Sequence, residues 1–199
     1  EGLIELLGGD EEFNKKLDEL FSMSSELGDE ASMDITGLIG QYAHGNEPSH
    51  HTTYMYAYSG EHYKIADKVR YINNELYTDQ PDGLSGNEDC GQMSAWYILS
   101  SMGFYPVNPS NGAYVFGSPL FDEVVLDIPG QKQFKISAKN NSDKNIYIQS
   151  VSLNGEDHKY SYITHKEILK GGELEFTMGP KPNKDFGKEK KYRPESIVY

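Results

Sequence analysis

Two short stretches of this chain concentrate the residue types that carry chemistry. In His44-Gly45-Asn46-Glu47-Pro48-Ser49-His50-His51, three imidazoles, one carboxylate and one amide fall within eight positions. Gly45 and Pro48 mark irregular backbone, and an irregular loop can aim several polar side chains at one point. The amide oxygen of Asn46 and the carboxylate of Glu47 are hard donors of the kind that Ca²⁺ takes. A zinc reading has less behind it. His50 and His51 are consecutive, so they point apart on any regular element, and no His-Glu-x-x-His pattern is present. The same residues could serve structure alone, with Ser49 capping a helix and the imidazoles satisfied by hydrogen bonds.

The second stretch runs Asp82-Gly83-Leu84-Ser85-Gly86-Asn87-Glu88-Asp89-Cys90-Gly91-Gln92. It places two adjacent carboxylates in a glycine-rich loop just before a helical pattern. A helix N-terminus favours negative charge, so at least one of them should stay ionised. An ionised carboxylate within reach of water can act as a general base. Capping competes here too, because Asp89 followed three residues later by Gln92 has the form of a capping box. Cys90 is a poor nucleophile candidate, since a thiolate is disfavoured beside two carboxylates. Tyr54, Tyr56, Tyr58, Trp96 and Phe104 could stack on a sugar, but their spacing favours core.

These loops need elements to hold them, and the chain divides by periodicity. Up to about residue 105 it reads as helical. Asp10-Glu11-Glu12 resembles an N-cap and acidic first turn, followed by Phe13, Leu17, Leu20 and Phe21 at helical spacing, with Gly28 as the expected stop. Further helices are expected around Tyr54–Tyr58, over Glu61 to Tyr77, and from Cys90 or Gln92 to about Gly103, where Pro106 forbids continuation. Residues 106–199 read as strands. Val124–Ile128 is one. Phe134, Ile136 and Ala138 alternate with polar residues in the next. Ile146 to Leu153 leads into Asn154-Gly155, a hairpin signal, and Leu174, Phe176 and Met178 alternate again. Lys166–Lys170 reads as one helical turn, and the tail from Pro180 as extended unless docked. Helices followed by strands predict an α+β chain, with a helical unit at 1–105 and a β-rich unit at 106–199.

The 199 residues are 37% hydrophobic and 25% charged, enough for a core. No apolar run approaches the roughly 20 residues that span a bilayer. The net charge of -13 sits in the helical part, where 19 Asp and Glu face 5 Lys and Arg; the remainder holds 12 against 13. Such an acidic half repels phosphate backbones, which argues against nucleic acid as a partner. It suits a bound cation and a neutral ligand such as a sugar. It equally describes a solvated helical surface.

Taken together, His44–His51, Gly86-Asn87-Glu88-Asp89-Cys90-Gly91-Gln92-Met93-Ser94-Ala95-Trp96-Tyr97 and Met102-Gly103-Phe104-Tyr105-Pro106 closely resemble the signatures of glycoside hydrolase family 92. The similarity continues through Gly117–Phe121 and Ile148–Gly155 and weakens after about Pro180. The family consists of inverting, calcium-dependent exo-α-mannosidases with a β-sandwich packed on an (α/α)₆ barrel. The resemblance therefore implies that residues 1–105 are the C-terminal helices of that barrel, followed by an antiparallel β-rich segment. It implies Asp89 as general base, with Glu88 the second candidate, and Asn46 and Glu47 as contacts to Ca²⁺. His50, His51 and Asn87 are expected to contact substrate; Asn87 can orient water but cannot be a base. The family's acid lies in a Glu-Gly-Asn-Ala-Trp type motif that does not occur here, so the acid is expected in a missing N-terminal part of the same polypeptide, and the isolated chain is expected to be inactive. The implied partner is a mannose-containing glycan, with α-1,2 the expected linkage and N-glycan degradation the setting. The parent is expected to be secreted, periplasmic or at the cell surface. The competing reading is a non-catalytic mannose-binding fragment.

Overall fold

The computed structural model describes residues 1–26 and 35–196. Its first part holds helices α1 (Gly2–Leu6) and α2 (Asp10–Ser22), a small hairpin of β1 (Leu38–Ile39) and β2 (Tyr42–Ala43), two 3₁₀ helices (Glu47–Ser49 and Thr52–Ala57), and helices α3 (Lys64–Glu75) and α4 (Gln92–Met102). Strands then dominate: β3 (Phe104–Asn108), β4 (Ala113–Phe116), β5 (Glu123–Ile128), β6 (Lys132–Lys139), β7 (Tyr147–Leu153), β8 (Glu156–Asp157), β9 (Tyr162–Thr164), a short α5 (His165–Ile168) and β10 (Gly172–Gly179), with a last 3₁₀ turn at Lys190–Tyr192. This is the α+β order that periodicity predicts.

Local sequence explains most of these elements. Helix α2 buries Phe13 and Leu17, α3 buries Ile65, Val69 and Ile72, and α4 buries Met93 and Trp96. Gly103, at φ +103°, closes α4 in the left-handed region, where glycine carries no Cβ penalty. The expected stop at Gly28 lies outside the described residues; α2 ends at Ser22. Its N-cap is Gly9, not Asp10, whose carboxylate instead receives Nη1 of Arg193 at 2.7 Å. The run Tyr54–Tyr58 is not α-helical. In a 3₁₀ turn residues three apart align, which puts Thr53 over Tyr56 and Tyr54 over Ala57, and all four are buried.

The strands form a five-stranded sheet ordered β5-β6-β10-β7-β8 and a three-stranded sheet ordered β3-β4-β9. All pairings are antiparallel except β6 with β10, which run parallel. Strand β10 enters between β6 and β7, so Phe176 lies opposite Ala138 on one side and Val151 on the other. Period-2 alternation sends Phe134, Ile136, Ala138, Leu174, Phe176 and Met178 into one core.

The three-stranded sheet joins this core to the helical one. Phe104, Phe116 and Ile163 face the β core, whereas Tyr105 and Val115 pack with Tyr54, Trp96 and Val69. Arg70 of α3 reinforces the junction: it is 5% exposed, and donates from Nε to Ser118 Oγ at 2.9 Å and from Nη2 to Pro119 O and Asn141 Oδ1. The tail is docked. Asn183 donates to Gln149 O at 2.8 Å, and the Arg193 bond to Asp10 ties it to α2. Helix α4, which carries the second chemical stretch at its N-terminus, is thus held between both cores.

Candidate active site

Two glycines let the chemical loops meet backbone to backbone. The β1–β2 hairpin presents the first loop, with His44 N–H bonded to Gly37 O and Gly45 N–H to Thr36 O, both at 3.0 Å. A Cβ on Gly45 would lie 2.6 Å from Ser85 O, and one on Gly86 would lie 2.7 Å from Gly45 Cα. No side chain fits at either position. In front of α4, Asp89, Cys90 and Gly91 take φ of 49°, 58° and 99°. Two consecutive non-glycine residues in the left-handed region are strained, and strain of this kind collects at functional sites.

That turn separates the roles of the two adjacent carboxylates. Glu88 folds back on α4: its Oε1 accepts from Ser94 N–H at 3.0 Å. The Ser94 hydroxyl, the Ser94 amide and then the Gly91 amide hold the Glu88 carboxyl below its ordinary range. Glu88, not Asp89, therefore supplies the capping oxygen, and the N-cap position itself belongs to Gly91. The left-handed turn points Asp89 elsewhere, and its carboxyl hydrogen-bonds that of Glu47. This bond, with smaller help from Glu47's own backbone, holds Glu47 below the usual carboxylate range. Two carboxyl groups brought together in this way present hard oxygens that suit a cation.

Behind this pair lies a polar layer in which His44, His50 and Tyr42 are buried and Tyr77 and Gln92 are half-buried. Tyr77 Oη donates to Met93 O at 3.0 Å and meets His44 Nε2 at 2.7 Å, while Tyr42 Oη meets His44 Nδ1 at 2.8 Å. His50 Nε2 donates to His44 O at 3.0 Å, and its Nδ1 accepts from Gln92 Nε2 at 3.1 Å. Gln92 also reaches Tyr105 Oη at 3.1 Å, and Trp96 Nε1 donates to His50 O at 3.1 Å. The His44 and His50 rings stack at 4.7 Å, and Trp96 meets His44 edge-on at 4.5 Å. Burial, then the adjacent His50, pushes His44 down to about 3; burial also lowers His50. Both imidazoles are neutral near pH 7.

The candidate residues thus divide by position. Glu47 and Asp89 touch, and Asn46, Asn87 and Asp89 are exposed. His50 is buried with both ring nitrogens engaged. His51 is exposed and lines a different cavity of about 240 Å³ with Phe13, Met55, Tyr58 and Val107. Tyr77 enters the site without a spacing signal of its own, and Gln92, read from its spacing as part of a capping box, instead bonds His50 and Tyr105. Gln92 lies inside the second chemical stretch, and Tyr77 reads from periodicity only as the end of a helix.

Among the described residues, no three His, Cys, Asp or Glu side chains gather as a metal cluster. The oxygen chemistry of Glu47 and Asp89, flanked in sequence by Asn46 and Asn87, fits part of a Ca²⁺ shell; a full one takes about 6–8 oxygens.

The family model of the glycosyl hydrolase family 92 catalytic domain matches residues 1–180. The chain belongs to this family. The family GH92 α-mannosidase BT3965 from Bacteroides thetaiotaomicron superposes with a TM-score of 0.86 and 41% identity, over 96% of this chain and 25% of that one. Its complex with mannoimidazole superposes with a TM-score of 0.88 and 43% identity, over 95% of this chain and 25% of that one. The family GH92 inverting mannosidase BT2199 from the same species gives 0.85 and 38%, over 98% of this chain and 28% of that one. An uncharacterized secreted glycosidase of Arthroderma benhamiae is 31% identical over 180 residues, 89% of this chain and 21% of its own length. The chain spans about a quarter of the length of these relatives. Among the described residues no helix is long and apolar enough to cross a membrane.

Proposed function

We propose that this GH92 chain supplies the base and calcium side of the active site of an exo-acting, inverting α-mannosidase. The observation that carries the reading is the division of labour between adjacent carboxylates: Glu88 caps α4, and Asp89 is turned out to meet Glu47. The mannosidase names of BT3965 and BT2199 support the substrate class, and the inverting chemistry of BT2199 supports the stereochemistry.

In this reading Asp89 takes a proton from the attacking water, and Asn87 faces the sugar. Asn46 and Glu47 would hold Ca²⁺, which would supply positive charge to polarise the sugar hydroxyls. An inverting site keeps its acid and base about 6.5–9.5 Å apart so that water fits between them. The acid comes from the upstream part of the same polypeptide, and the substrate is a terminal α-mannoside of a glycan, α-1,2-linked. The name of the secreted relative supports an exported parent, at the cell surface, in the periplasm or outside the cell.

The test is an assay of the intact enzyme on an aryl α-mannoside, following the first-formed anomer by NMR. Calcium-dependent turnover that releases β-mannose first is the expected result, with no turnover by the isolated 199-residue chain. Release of the α anomer would refute inversion. Turnover by the isolated chain that is lost in Asp89→Ala would refute an acid placed outside it.

A further inference from the structure

The two site loops are connected through the protein interior by hydrogen bonds whose directions can be assigned. The Met93 carbonyl can only accept, so the single hydroxyl proton of Tyr77 points to it, at 3.0 Å. Tyr77 Oη must then accept from His44, which places the His44 proton on Nε2, 2.7 Å away. The bare Nδ1 accepts from Tyr42 Oη at 2.8 Å. The chain therefore reads Tyr42 O–H to His44 Nδ1, His44 Nε2–H to Tyr77, Tyr77 O–H to Met93 O.

Its two ends belong to different loops. His44 lies three residues before Glu47, and its carbonyl is gripped by His50 Nε2 at 3.0 Å. Met93 lies in the first turn of α4, and its amide donates to Glu88 O at 3.3 Å, one residue before Asp89. His44 is 0% exposed, and no atom of its ring is left to reach solvent or a ligand.

We propose that His44 is a positioning residue: through Tyr77 and Met93 it sets where the Asp89 loop stands relative to Glu47. The consequence for turnover rests on the proposed roles of Asp89 and Glu47; the mechanical link does not. A fixed hydrogen-bond chain is suited to this task because its directions are unique and Tyr42, His44 and Met93 are buried around a half-buried Tyr77, so turning the His44 ring leaves buried polar groups without a partner.

The experiment uses three variants of the intact enzyme: His44→Phe, Tyr77→Phe and the double substitution. Phenylalanine keeps a ring in each place and removes the bonds. Hydrogen exchange at the Ser94 and Ala95 amides should speed up about tenfold in each single variant, the equivalent of one hydrogen bond. The value of kcat on an aryl α-mannoside should fall by up to about 10²-fold with KM little changed, as for a misplacement near 1 Å. The double variant should match the singles, because all three cut one chain. A role confined to stability predicts the opposite split: a lower melting temperature, with exchange at Ser94 and kcat per folded molecule unchanged. That result would overturn the proposal, as would a double variant whose losses multiply. Tyr77→Phe removes one oxygen, so it keeps the test decisive if His44→Phe does not fold. Asp89→Asn is measured alongside. Full turnover in that variant would remove the base assignment, and exchange at Ser94 would still decide the role of His44.

Discussion

The carboxyl groups of Glu47 and Asp89 are hydrogen-bonded to each other across two loops that are remote in sequence. Each loop arrives by a separate route, one from the β1–β2 hairpin and one from the left-handed turn before α4. If the pair acts as a unit, Asp89→Asn and Glu47→Gln should each lower kcat by about 10²–10⁴, the range of a lost acid–base group. The double variant should fall no more than about tenfold below the worse single, since groups that work together are strongly non-additive. Steady-state kinetics on all four forms checks this, and simple multiplication of the two losses would show that they act independently.

Glu88 should behave differently from its neighbour. Its carboxylate accepts from the Ser94 amide and holds the first turn of α4. Glu88→Gln keeps an acceptor oxygen but loses the charge that favours a helix N-terminus. The melting temperature should fall, while kcat per folded molecule drops by less than about tenfold, well short of an acid–base deletion. A Glu88→Gln enzyme that is fully folded and as inactive as Asp89→Asn would transfer the base role to Glu88.

What was legible in the sequence follows from how local each cause is. The alternations at Phe134–Ala138 and Leu174–Met178 are local, and both are strands with those residues buried. The Asn154-Gly155 turn is local too, with φ of 54° and 82° joining β7 to β8. The short helix at His165–Ile168 sits where a single turn is expected, and Thr164 and Glu167 form its capping box. The parallel β6–β10 pair is a different matter, because which strand fills the gap beside β6 depends on the whole path between them. The choice of Glu88 over Asp89 as cap turns on positive φ at Asp89 and Cys90, and nothing in their residue types demands it. The two loops are readable as motifs; their contact through Gly45 and Gly86 is tertiary.

That contact makes a separate prediction. Gly86 has no room for a methyl group, because its Cβ would press on Gly45 Cα at 2.7 Å and overlap Gly45 O. Gly86→Ala must push the loops apart, at about 1–3 kcal/mol for overpacking. Because the same shift separates Asp89 from Glu47, kcat should fall with stability. Gly2→Ala is the control: a Cβ there meets nothing within 4 Å, and the position is helical, so both quantities should hold. A Gly86→Ala enzyme with wild-type melting and kinetics would show that the loops do not need to touch.

His62 should give stability a pH dependence of its own. The residue is 3% exposed, donates from Nε2 to Phe116 O at 2.9 Å and meets Phe186 edge-on at 5.0 Å. Burial pushes it down to about 4, opposed by the bond to Phe116. Its folded value is below the unfolded one of 6.5, so the unfolded chain takes up the proton more readily. The stabilisation is complete above pH about 6.5, is lost as the pH falls toward about 4, and changes no further below that; the full step is about 3 kcal/mol. His62→Gln can still donate to the Phe116 carbonyl but does not titrate. Urea midpoints across pH 7 to 4 should therefore fall less steeply in His62→Gln than in the wild type, and the two proteins should converge at acid pH. Parallel curves over that range would mean that His62 binds its proton equally well in the folded and unfolded chains and that its burial has no effect on the titration.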